Sequence, residues 1–230
     1  MKGKNPVRSQ ELGDGSRLWV QEVFYTLQGE GPYAGHPAVF VRLGGCNLRC
    51  YWCDTDFESS DYRPTLEELL KKIESIRTES CHLIVLTGGE PLRQNVVPLI
   101  ERCLESGLQV QIETNGTLWL ELPEHPGLTL VCSPKTPKLH PKAMERIQFM
   151  KYVVEAGKQS PEDGLPVLST QVEGKTAKIC RPRAGQQVYL MPLDEQDPES
   201  NAKNLAACVE TCLEHGYRLT VQGHKTWGVP

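Results

Sequence analysis

Three cysteines fall within eight residues of the stretch GGCNLRCYWCDTD, at Cys46, Cys50 and Cys53. Thiolates at this spacing could bind zinc or an iron-sulfur core. They follow directly on the apolar run AVFVRL and lie in a Gly-Gly loop, at the C-terminal end of a strand, where the backbone can curl around an inorganic group. Packed core thiols are an odd fit beside polar Asn47, Arg49 and Asp54. A structural zinc site wants four ligands in paired knuckles, whereas this motif supplies three and no second knuckle follows, although Cys81 or His82 could be a fourth. A cubane cluster normally takes four thiolates, so three leave one iron open to a chelating amine and carboxylate.

Further polar groups recur after later apolar runs. Thr87-Gly88-Gly89-Glu90-Pro91 follows HLIVL, and its glycines permit close backbone approach, although a plain strand-to-helix turn would also suit them. Glu113 to Gly116 and Ser133 to Lys135 sit at the ends of the next two runs, so the three segments line one rim. Cys208 and Cys212 repeat the spacing of Cys46 and Cys50, but inside the helical stretch LAACVETCLEHG, where residues four apart share an apolar face and the thiols pack. Cys81, Cys103, Cys132 and Cys180 read as structural too, Cys132 being the one that directly precedes a rim loop.

The elements that must position these groups are legible from periodicity. Residues 18–26, 38–43, 82–87, 108–113, 128–132, 147–154, 187–190 and 217–221 read as strands. Helical spacing covers 65–78, 95–105 and 201–215. Segment 155–185, interrupted by Pro161, Pro166 and Pro182, reads as loop with room for one short helix. Strands alternating with helices give an α/β protein with mostly parallel strands, either an open sheet or a partial or modified (β/α) TIM-like barrel, with ligands at the C-terminal strand ends.

Composition narrows the class. In 230 residues, 39% hydrophobic and 23% charged content is that of a globular chain, and no linker splits it. Residues 1–16 read as a flexible N-terminal tail and 17–230 as a single catalytic domain. A net charge of -4 gives no electrostatic reason to expect nucleic acid or anionic membrane as a partner. Without an apolar leader or spanning segment, and with an odd number of cysteines, nine, the expected setting is the cytoplasm with reduced thiols.

The CxxxCxxC motif with Trp52 before its last cysteine, followed in order by GGEP, resembles the radical S-adenosylmethionine family. Within it the chain resembles the 7-carboxy-7-deazaguanine synthases nearly end to end, most specifically in Leu27 to Gly31, Phe40 to Leu43, Cys53 to Thr55, Ser133 to Lys135 and His224-Lys225. The resemblance implies a 4Fe-4S cluster on Cys46, Cys50 and Cys53. It implies S-adenosylmethionine contacts from Trp52, Cys53, Asp54, Gly89, Glu90, Ser133, Pro134, Lys135, Met191, Pro192, Leu193 and Asp194, with Glu90 facing the cofactor's ammonium. The family's commoner Gln-Pro-Met-Asp is Met191-Pro192-Leu193-Asp194 here, which puts any side-chain contact of the first position in question. Thr55, otherwise a loop cap, becomes a Mg²⁺ position. Leu27, Gln28, Gly29, Glu30, Arg42, Thr87, His224 and the terminal carboxylate of Pro230 become substrate contacts, Arg42 meeting the substrate's carboxylate.

The implied reaction is contraction of 6-carboxy-5,6,7,8-tetrahydropterin to 7-carboxy-7-deazaguanine, a queuosine precursor. It runs through a 5′-deoxyadenosyl radical that is returned to the cofactor, with loss of ammonia and no single side chain as sole acid or base. An electron donor such as flavodoxin or ferredoxin and a homodimer belong to the same implication. Two other functions share parts of the pattern: a radical activase of a glycyl-radical partner protein and a non-catalytic zinc-binding module.

Overall fold

The computed structural model describes residues 5–53 and 55–230. Alternating β-branched and aromatic residues build β1 (Val20–Leu27), which pairs antiparallel with β2 (Pro37–Leu43), Val23 opposite Val41. From β2 onward the sheet is parallel and follows chain order through β3 (Leu83–Gly88), β4 (Gln109–Thr114), β5 (Leu128–Cys132), β6 (Phe149–Val154), β7 (Gln187–Pro192) and β8 (Arg218–Leu219). The run LIVL of β3 is buried throughout, as a strand covered on both faces requires. The sheet is therefore mostly parallel and curls as a partial barrel.

Helix α1 (Leu66–Ile76) begins where the sequence places it because Thr65 and Glu68 form a reciprocal capping box behind Pro64. Helix α2 (Val97–Glu105) returns the chain to β4 with Leu99, Ile100, Cys103 and Leu104 buried. Helix α3 (Pro141–Arg146) and helix α5 (Gly223–Trp227) have six and five residues, too few to show a helical period in sequence. Helix α4 (Pro198–His215) is capped by Asp197 and stopped by Gly216 at φ 70°. Segment 155–185 carries no helix, only isolated bridges pairing Gln159 with Pro166 and Leu168 with Thr176.

The gap between the ends of the sheet is spanned by the C-terminal segment. Gly31 N donates to Thr220 Oγ1 at 2.8 Å, Gly223 N to Gly29 O at 3.1 Å and Thr26 Oγ1 to Pro230 O at 3.0 Å. At the other end of the chain, residues 5–16 run across the loops below the cysteines. Arg8 N donates to Cys46 O at 2.7 Å, Glu11 N to Arg93 O at 2.7 Å and Gln10 Nε2 to Leu92 O at 2.9 Å. No described helix is long and apolar enough to cross a membrane.

Candidate active site

The C-terminal strand ends enclose a cavity of about 670 Å³. Its first wall is the cysteine loop, whose entry depends on glycine. Gly45 has φ +76°, and a Cβ there would meet Arg93 Nε at 2.6 Å; a Cβ on Gly89 would lie 2.0 Å from Gly45 O. The two loops thus meet backbone to backbone, with Glu90 N donating to Gly45 O at 3.0 Å. Cys46, Cys50 and Cys53 are half-buried and all line the cavity. No three described His, Cys, Asp or Glu side chains converge on one point; a cubane does not need them to, because each thiolate binds a different iron. Burial pushes the Cys46 thiol up to about 12, so a metal must displace its proton on binding.

Lys135 Nζ sits 4.3 Å from the centre of the Trp52 ring. Burial lowers its pKa while the Cys50 and Cys53 thiols oppose that shift, which places its charge beside the cysteines. Soft donors on one wall with a cation close behind suit an anionic cluster, and the remaining cavity gives room for a chelating ligand on the open iron. Thr55 also lines the cavity, with Asn5 Nδ2 donating to its carbonyl at 2.9 Å.

The opposite wall is a buried ionic network. Lys151 Nζ on β6 lies 2.5 Å from Glu30 Oε2 and 3.3 Å from Glu113 Oε2. Glu113 Oε1 accepts from Gln28 Nε2 at 3.0 Å and from Gln111 Nε2 at 2.9 Å, and Gln28 Oε1 accepts from Glu30 N at 3.1 Å. Burial works against the ionised form of Glu30, but Lys151, His224 and Gln222 together hold its carboxyl below the usual range. Burial likewise opposes the charge of Lys151, and the Glu113 and Glu30 carboxylates overcome it and raise the pKa. His224 packs so closely that a Cβ on Gly29 would meet its Nδ1 at 2.6 Å, and Pro230 completes this side.

Of the residues singled out in the sequence, Leu27, Gln28, Gly29, Glu30, Arg42, Cys46, Cys50, Trp52, Cys53, Thr55, Thr87, Gly89, Ser133, Lys135, Met191, Pro192, Leu193, Asp194, His224 and Pro230 meet in this one cavity. Arg42 meets it with its charge engaged: Nε lies 2.6 Å from Glu22 Oε1 and the guanidinium stacks over Phe24. Asp194 is held by Lys225, by Gln196 N and by Asn201, which together keep its carboxyl well below the usual range.

Pro134 is not among the lining residues, and Asp54 lies outside the described residues. Glu90 differs from expectation: it is fully buried, turned from the cavity, and accepts from Thr114 Oγ1 at 2.6 Å, Asn115 N at 2.7 Å and Leu92 N at 3.1 Å. Burial raises its pKa to about 7 despite those bonds. In this structure its carboxylate braces the rim loop after β4. Sequence reasoning passed over Lys151 and Gln222, which both line the cavity. Lys151 had a signal, a lone cation inside the apolar strand FMKYVV, which requires a buried counter-charge.

Known proteins resemble this chain throughout. Residues 40–172 match the model of the radical SAM superfamily. A 7-carboxy-7-deazaguanine synthase of Rhodospirillum rubrum is 56% identical, covering 98% of each chain, and one of Rickettsia prowazekii is 38% identical over 100% of this chain and 96% of its own. The crystal structure of QueE from Escherichia coli superposes with a TM-score of 0.67 at 27% identity, covering 90% of this chain and 95% of that one.

Proposed function

We propose, from the premise that the chain belongs to the radical SAM superfamily and to its 7-carboxy-7-deazaguanine synthase family, that it converts 6-carboxy-5,6,7,8-tetrahydropterin to 7-carboxy-7-deazaguanine with loss of ammonia. The observation that carries this is the pairing, in one cavity, of three thiols with an acceptor-rich polar wall. When bound to Cys46, Cys50 and Cys53, a 4Fe-4S cluster with S-adenosylmethionine on its open iron supplies the organic radical that begins the chemistry.

The chain's own residues bind, orient and exclude water. Glu30, kept ionised by Lys151, and Glu113 beside it present carboxylate oxygens to the N–H-rich edge of a pterin, and Gln28 offers an amide next to them. Pro230, whose carbonyl accepts from Thr26 Oγ1, closes this side of the cavity. Glu30 and Glu113 against the one Lys151 leave this wall acidic, which would repel the substrate's own carboxylate and turn it toward Arg42 and toward a Mg²⁺ that Thr55 would help to hold. For Arg42 to serve, it exchanges its half-exposed partner Glu22 for the substrate, a swap of one carboxylate for another. Trp52, Gly89, Ser133, Lys135 and the Met191 to Asp194 segment form the cofactor side. The proposal includes a single catalytic domain over 17–230, an external donor such as flavodoxin or ferredoxin, a homodimer and a cytoplasmic setting.

Anaerobic reconstitution with iron and sulfide, followed by assay with the tetrahydropterin and S-adenosylmethionine, tests it. Formation of the deazaguanine without stoichiometric consumption of the cofactor is expected. A loaded protein that leaves the pterin unchanged, or that turns over only with a glycyl-radical protein, would overturn the assignment.

A further inference from the structure

Segment 155–185 has no regular structure, yet its turn at Thr170-Gln171 is tied to the cysteine loop by several independent bonds. Tyr51 N donates to Thr170 O at 3.0 Å, and Arg49 N donates to Gln171 Oε1 at 3.0 Å. Gln171 Nε2 then has two hydrogens to place. One meets Thr170 Oγ1 at 2.7 Å and the other meets Cys50 Sγ at 3.3 Å. The amide cannot flip without setting its NH₂ against Arg49 N–H, so the donor face is fixed toward the sulfur. Thr170 Oγ1 donates to Lys135 O at 3.1 Å and lies 3.6 Å from Cys50 Sγ, farther than Gln171 Nε2 at 3.3 Å, so Gln171 makes the shorter of the turn's contacts to that sulfur and the one already donating to it.

We propose that Gln171 is a positioning and tuning residue for the cluster: its N–H···S bond to Cys50 raises the reduction potential. It rests on the assignment of Cys46, Cys50 and Cys53 to a 4Fe-4S cluster. A donor aimed at a ligating sulfur withdraws negative charge, and adding an electron increases that charge, so the bond is stronger in the reduced state. Outer-sphere donors of this kind tune metal centres elsewhere. Nothing in the composition of a proline-rich loop announces such a role; its fold over Cys50 does.

The test is a potentiometric titration of the reconstituted protein, followed by electron paramagnetic resonance, with iron and sulfide measured on each sample. Gln171→Met keeps length and neutrality but removes the donor, and Gln171→Leu removes it with a branched side chain, also without adding charge. Both should show about a tenfold lower ratio of reduced to oxidised cluster at a fixed potential, equivalent to a midpoint lower by about 59 mV for one electron. Val172→Ala, at an exposed position of the same turn, should leave the midpoint unchanged. Variants with wild-type iron content and an unshifted midpoint would overturn the proposal, as would an equal shift in Val172→Ala. If one Gln171 variant fails to hold a cluster, the other decides. Loss of the cluster from both, with Val172→Ala loaded, would replace tuning with a purely structural role. A wild-type protein that takes up no cluster would instead refute the assignment on which the proposal stands.

Discussion

Replacing Lys151 by methionine tests the buried network most severely. Lys151 is 4% exposed and stands between two carboxylates, at 2.5 Å from Glu30 and 3.3 Å from Glu113. Met preserves much of the side-chain volume, so the loss is electrostatic. Removing one partner of a buried ionic group costs about 3–5 kcal/mol, because the other charges stay buried without compensation. For a domain of this size, where 1 kcal/mol moves Tm by roughly 2–4 °C, that is a fall of about 6–20 °C. The pH dependence adds a second signature. Glu30, held below its ordinary range, contributes stability present above about pH 4.3 and lost as pH falls through its folded pKa. Lys151, held above its ordinary range, contributes stability present below about pH 10.4 and lost only as pH rises through its folded pKa. The penalty of Lys151→Met should therefore be full near pH 7.5 and shrink on acidification toward pH 4. Adding Glu30→Gln should recover part of it. Thermal melts followed by circular dichroism at both pH values give the answer. A Tm within about 2 °C of wild type, or a penalty independent of pH, would refute the reasoning.

Glu90, pushed by burial to about 7, is protonated more readily in the folded than in the unfolded chain, so wild-type stability should fall between about pH 4.5 and 7 by about 3 kcal/mol. Glu90→Gln removes that slope, and denaturant melts at pH 5 and pH 8 should show the variant gaining on wild type at the higher pH; parallel curves would count against it. Deleting residues 227–230 should lower kcat/KM sharply while leaving the iron content intact, because Pro230 O is bound by Thr26 Oγ1 and the residue lines the cavity; undiminished turnover would show that this segment plays no part.

Most of the sheet is legible in the sequence because parallel strands buried on both faces write themselves as apolar runs, such as LIVL in β3 and LTLVC in β5. Helix α1 is legible because its capping box and its spacing agree. The short helices α3 and α5 were not, since they form only where tertiary packing buries residues such as Ala143, Met144 and Gly223. The site divides along the same line. Cys46, Cys50 and Cys53 declare themselves by local spacing, whereas Lys151 finds Glu30 from 121 positions away and Gln171 finds Cys50 from 121 positions away, through the fold alone. Glu90 shows the converse, a motif residue whose side chain the fold turns inward to brace Thr114 and Asn115.

The central claim is that Cys46, Cys50 and Cys53 hold a cubane with one iron left open, and metal analysis with spectroscopy on the anaerobically reconstituted protein tests it most directly. About four irons and four sulfides per chain are predicted, with a reduced-state resonance that changes when S-adenosylmethionine is added. Serine at any of the three positions should abolish the signal, and serine at the buried Cys81 should not. A colourless protein that takes up zinc, or a cluster that survives all three substitutions and ignores S-adenosylmethionine, would contradict the account.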